Sequence, residues 1–176
     1  MMYAVLTARL ALAGVLLLSA VAKTRAFSDT QAMVDGLLRR SGHGVRRLAR
    51  PLAVALIAVE ATTGFALLGP KEVARFGLIA AVALAAGFTA IAIVATVTHT
   101  EVSCACFGRP TARLGRRHIA RNAPLLGLAV VGLWGSGAVS GTTPAPPAIV
   151  LCVLTAVVIT AVTAFFDDIV DLLLSP

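Results

Sequence analysis

The apolar residues of this chain are gathered into runs close to the length a helix needs to cross a bilayer, and no other feature restricts its fold more. About 20 apolar residues are needed to pass through roughly 30 Å of hydrocarbon. Five stretches reach or approach that length: Tyr3 to Ala22, Pro51 to Leu68, Phe76 to Thr98, Asn122 to Ser140 and Ala148 to Phe166. Only 13% of the 176 residues are charged, against about 25% in an ordinary soluble domain, so a water-soluble surface could not be covered. The fold class expected is all-α: a polytopic transmembrane helical bundle of four core helices plus a fifth, C-terminal span.

The polar residues inside or beside these runs carry the next constraints. Arg9 lies near the start of the first span and Lys23 at its end. This run also fits a secretory signal, with Arg9 as its basic region and Ala20-Val21-Ala22 as its cleavage site. Because four more spans follow, it is kept as a helix. Glu60 falls near the middle of the second span, where a carboxylate costs roughly 3 kcal/mol, so it is expected to face the bundle, protonated or paired. Lys23 is expected to snorkel to the headgroups rather than reach Glu60. Ala83 and Gly87 offer a small-residue face for close helix approach in the third span. Trp134 reads as an anchor or packing residue, and Cys152 as a packing residue. The proline-rich connector 141–147 cannot continue a helix. It divides a membrane domain, residues 1–140, from a segment 141–176 holding the extra helix and a tail with Asp167, Asp168 and Asp171.

The formal charge of +7 is concentrated between the spans, with no aromatic surface beside it, so nucleic acid is excluded as a partner. The segment from Lys23 to Arg50 holds seven basic and two acidic residues. Ser28 and Gln31 fit a capping box at a helix start. Beyond them Val34, Leu37, Leu38, Val45 and Leu48 recur opposite Arg39, Arg40, Arg46 and Arg47, which predicts an interfacial helix with its apolar face in lipid, broken at Gly42 and Gly44. By loop, the basic residues number seven, two, five and none. Loops one and three therefore belong on the cytoplasmic side, with the N-terminus outside.

The third loop holds the residues best suited to chemistry, Cys104 and Cys106 in Ser103-Cys104-Ala105-Cys106-Phe107-Gly108. Cysteines two apart in a turn close a small, strained disulfide, and strain makes the bond easier to reduce. Nearby arginines favour the thiolate that attacks a disulfide. Packing of two soft side chains at a helix end fits the same residues. His99, Cys104, Cys106 and His118 also supply four N/S ligands, but their spacing matches no standard zinc knuckle, and no metal site is assigned. The charge rule draws the cysteines towards the cytoplasm, whereas stable disulfides belong outside it.

The span ending in Ala22-Lys23, the second span with Glu60 and Gly64, and above all the cysteine segment followed by Arg121-Asn122 resemble the MauE family of methylamine-utilisation membrane proteins, within the wider DoxX-like group. The resemblance covers residues 3 to 140. It implies a bacterial inner or plasma membrane protein of about four core helices that works with a thioredoxin-like protein. The family serves maturation of the disulfide-rich small subunit of methylamine dehydrogenase and is taken to act by thiol–disulfide transfer. On that resemblance Cys104 and Cys106 inherit the redox role, and Glu60 and Lys23 at most a structural one. Two departures stand out: Ala105 where the family usually has Gly, and the fifth span.

The expected function is thus a membrane thiol–disulfide module, which is a thiol–disulfide oxidoreductase if Cys104 and Cys106 cycle. Its partners would be lipid, a thioredoxin-like protein and a secreted, disulfide-rich enzyme subunit. The sequence identifies no cofactor and leaves a quinone open. A non-catalytic membrane scaffold with inert cysteines, or a small-solute or metal transporter using Glu60 and the Cys/His cluster, are the alternatives.

Overall fold

Apolar runs of this length have to satisfy their own backbone hydrogen bonds, and in lipid a helix does so within one segment. The computed structural model describes residues 1–38, 45–98, 115–137 and 145–174. These form α1 (Met2–Arg25), α2 (Phe27–Leu38), α3 (Ala49–Leu68), α4 (Lys71–Val97), α5 (Arg116–Ser136), α6 (Pro146–Ala164) and α7 (Phe166–Leu174), with one 3-10 turn, Val45–Leu48, leading into α3. The chain is an all-α helical bundle. Four helices, α1, α3, α4 and α6, are long and apolar enough to cross a membrane. The fourth expected span is α5, which packs along α1 and α4. It starts two turns earlier than its apolar run, because Arg116, Arg117, His118 and Arg121 continue the helix, and Pro124 is accommodated within it.

The bundle is organised around α1, whose main partners are α3, α5 and α6. Its small buried residues, among them Ala8, Ala11, Ala13 and Ala20, occupy more than one face, so neighbours approach on several sides. The outer surface is apolar: Phe65, Phe76, Val97, Leu151, Leu154 and Val158 are all well exposed. In water such a surface would be untenable; in a bilayer it is the lipid contact. This is a multi-pass membrane protein.

Three expectations are corrected by the packing. The small residues of α4 that are buried against neighbours are Ala74, Gly77, Ala81, Ala92 and Ala95, not Ala83 and Gly87. A Cβ on Gly77 would stand 3.0 Å from the backbone nitrogen of Leu67, whereas one on Gly87 would meet nothing within 4 Å. Both sets have helical spacing, and only the position of α3 selects between them. The apolar face of α2 is likewise not given to lipid. Met33 and Val34 are buried in a cluster with Ala49 and Ala53 of α3 and Ala92 and Ala95 of α4. A protein groove and a lipid surface ask for the same periodicity, which is why the pattern alone pointed to lipid. The capping box is also unused, since α2 follows α1 after Ala26 alone and the Thr30 N–H donates to the Ala26 carbonyl. Gly42 and Gly44 lie outside the described residues.

Candidate functional site

Helical side chains leave the backbone pointing towards the helix N-terminus. For Lys23, near the C-terminal end of α1, that direction leads back into the bundle rather than out to the headgroups. Its ammonium lies one turn down, beside Ser19. Lys23 Nζ donates to Glu60 Oε1 at 2.6 Å, to Glu60 Oε2 at 2.9 Å and to Ser19 Oγ at 2.6 Å. The Ser19 hydroxyl in turn donates to Glu60 Oε2 at 3.2 Å. Three side chains from α1 and α3 thus close a ring in which all three ammonium N–H groups are used. Lys23 is 1% exposed and Glu60 0%. The expected snorkelling of Lys23 does not occur, and Glu60 is paired.

The ring has one aromatic neighbour and one small cavity. Lys23 Nζ is 5.3 Å from the ring centroid of Phe88 on α4, within cation–π range. A cavity of about 50 Å³, lined also by Leu16, Ala85, Leu125, Arg121 and Asn122, lies between α1, α3, α4 and α5. That is room for a few water molecules, with polar partners on two sides. Arg121 is itself buried and pairs with Asp167 at 3.1 Å. Arg117 pairs with Asp171, so the start of α5 is tied to α7 twice. His118, 3% exposed, is buried beside this pair.

Sequence reasoning missed Ser19, Phe88 and the Arg121–Asp167 pair. Ser19 was findable, because residues four apart on a helix share a face and Ser19 stands four before Lys23. The pairing of α5 with α7 had a fainter signal: alternating spans return the start of the α5 helix and the end of α6 to the same side of the membrane. Cys104, Cys106 and His99 lie outside the described residues. The connector that carries the two cysteines joins α4 to α5, the helices that contribute Phe88, Arg121 and Asn122 to the cavity. Among the described residues no group of three or more His, Cys, Asp or Glu side chains is placed to hold a metal ion. Cys152 is buried in α6 with its thiol facing the Tyr3 carbonyl, in a packing position.

Membrane-length helices that turn their charged side chains inward and pair them define the class: a polytopic membrane protein with a polar centre. Within that class, residues 1–135 match the family described as Methylamine utilisation protein MauE, and the chain belongs to that family. Membership ties it to methylamine utilisation. The match ends at the close of α5, so α6 and α7 lie beyond it. No curated protein and no solved structure matches this chain.

Proposed function

We propose that this protein is a membrane thiol–disulfide module that exchanges electrons with a thioredoxin-fold partner during maturation of a disulfide-rich enzyme subunit of methylamine utilisation. The observation that carries the reading is a Cys-x-Cys pair in the α4–α5 connector of a MauE family member, ahead of a helix that opens with Arg116 and Arg117. In the exchange, a thiolate of the dithiol attacks the disulfide of the other protein and forms a mixed disulfide. The neighbouring thiolate then resolves it. One protein ends as disulfide and the other as dithiol, so two electrons and two protons change hands and no third reactant is needed.

In this scheme the buried polar ring has a supporting role. Lys23, Ser19 and Glu60 fasten α1 to α3, and the Arg117 and Arg121 pairs fasten α5 to α7. The start of α5 is thereby attached to a fixed frame, and the last turns of α4 are held by Ala92 and Ala95 packed against α2 and α3. Cys104→Ser/Cys106→Ser in the otherwise intact protein tests the reading. Loss of client disulfide maturation, with the variant still inserted at normal levels, is the expected result. Full maturation by the double variant would leave only a scaffold role.

A further inference from the structure

The start of α5 and the short α7 meet through charges rather than through a packed face. Asp167 and Asp171, four apart on α7, pair with Arg121 and Arg117, four apart on α5. No residue from 166 to 173 is buried, and Leu172 and Leu173 are 78% and 76% exposed. A nine-residue helix is too short to be stable in isolation, so α7 depends on its attachment for its form.

Beside this attachment lies a histidine with no part in the proposed exchange. His118 precedes the apolar run that begins at Asn122 and is almost fully buried. Its Nδ1 and the Asp167 Oδ1 are both buried with no hydrogen-bond partner among the described residues. Burial first, and the Arg121 guanidinium second, hold the imidazole below the usual histidine range, and the Asp167 carboxylate offsets them only in part. Other charges on the neighbouring helices are few. Arg116 of α5 and Asp168 of α7 are exposed; α1 ends in Lys23, closed into its ring, and the exposed Arg25; α2 carries Asp29 and Asp35. α4 has no ionisable residue between Arg75 and Val97. A proton on His118 would therefore add a third cation to Arg117 and Arg121, which the two carboxylates of α7 already match.

We infer that His118 makes the attachment of α7 to α5 depend on pH: α7 is held while the imidazole is neutral and let go as it takes up a proton. The direction follows from the surroundings of that proton. In the attached state the imidazolium lacks water and an acceptor at Nδ1; in the released state it is hydrated. Attachment is at full strength above the ordinary histidine value of 6.5 and weakens as the pH falls below it, in a range where carboxylates ordinarily stay charged. The switch is independent of the cysteine chemistry and acts on the frame: the start of α5 is fixed to α7 only above that range.

Hydrogen exchange of the α7 amides in the full-length protein in detergent tests this, with each rate divided by that of the same amide in an unstructured peptide. Between about pH 7.5 and about pH 5.5 the protection of α7 is expected to fall about tenfold, as one proton taken up on release implies. Amides of α3 around Glu60 should keep theirs. His118→Gln and His118→Phe have no proton to take up in this range and should show no such fall, while His43 and His99 remain in both. Protection of α7 that stays constant in the wild type, or that falls equally in a folded His118 variant, would overturn the switch. A wild-type His118 ring resonance that titrates at or above 6.5 with α7 attached would do the same.

Discussion

Lys23 and Arg9 are both cations on α1, fourteen residues apart and so about 21 Å along the helix, yet one is taken into the bundle and the other stays at its edge. Lys23 meets a full negative charge and a hydroxyl, with no exposure to speak of. Among the described residues Arg9 meets no carboxylate; it caps the Leu67 and Gly69 carbonyls at the end of α3, which carry the partial negative charge of a helix C-terminus. The difference shows how depth sets the partner a charge requires. Far from water, a formal counter-charge with complete hydrogen bonding is needed to offset desolvation. Nearer the surface, backbone dipoles suffice.

The comparison breaks most visibly if Lys23 alone is removed. Lys23→Met leaves Glu60 buried without its counter-charge and should destabilise the protein by roughly 3–5 kcal/mol in denaturation from detergent micelles. Lys23→Met/Glu60→Leu removes both charges, and most of that loss should be recovered. If the double variant is as unstable as the single one, the cost lies in packing and not in the orphaned carboxylate. Next in size is Gly77→Val, which drives a side chain against the α3 backbone and should cost about 1–3 kcal/mol in the same assay.

Arg9→Gln should cost less, about 1 kcal/mol, because its partners are carbonyls that water can partly replace. The helix-end amide of Gly69, bonded to the Ala66 carbonyl, should then exchange faster with solvent deuterium, while those around Glu60 keep their protection. The smallest change is expected at Asp171→Asn. The Arg117–Asp171 pair is exposed at both partners, and its loss should shift the unfolding midpoint by no more than about 0.5 kcal/mol equivalent.

The parts of the fold that length and hydropathy control were legible from residue order. Four of the five expected spans fall on helices long and apolar enough to cross a membrane, and Gly69-Pro70 closes α3 as expected. What was not legible depended on which neighbour a helix face meets. Ala83 and Gly87 have the same spacing as the residues that pack, and α2 shows one amphipathic pattern that serves a protein groove as well as a bilayer. Lys23 is a different kind of miss. Its inward direction follows from helix geometry, which here outweighs the preference of lysine for headgroups. Lys23 stands at a helix end and Glu60 near the middle of a span, so the two differ in depth. One inward-pointing side chain, reaching back past Ser19, spans that difference.

The candidate chemistry stands differently. Cys104 and Cys106 were singled out by their spacing and by the family resemblance, and the family assignment rests on residues 1–135, which include them. The described helices hold a Lys23–Ser19–Glu60 ring between α1 and α3 and an Arg121–Asp167 pair between α5 and α7.

The most direct measurement is differential alkylation of Cys104 and Cys106 in intact cells, read by mass spectrometry before and after mild reduction. The account predicts a population of protein with the two thiols joined, which reduction converts to the doubly alkylated form, and which rises when the thioredoxin-like partner is removed or blocked in its reduced state. Two cysteines that are fully reduced in every condition, or that never react, would contradict it.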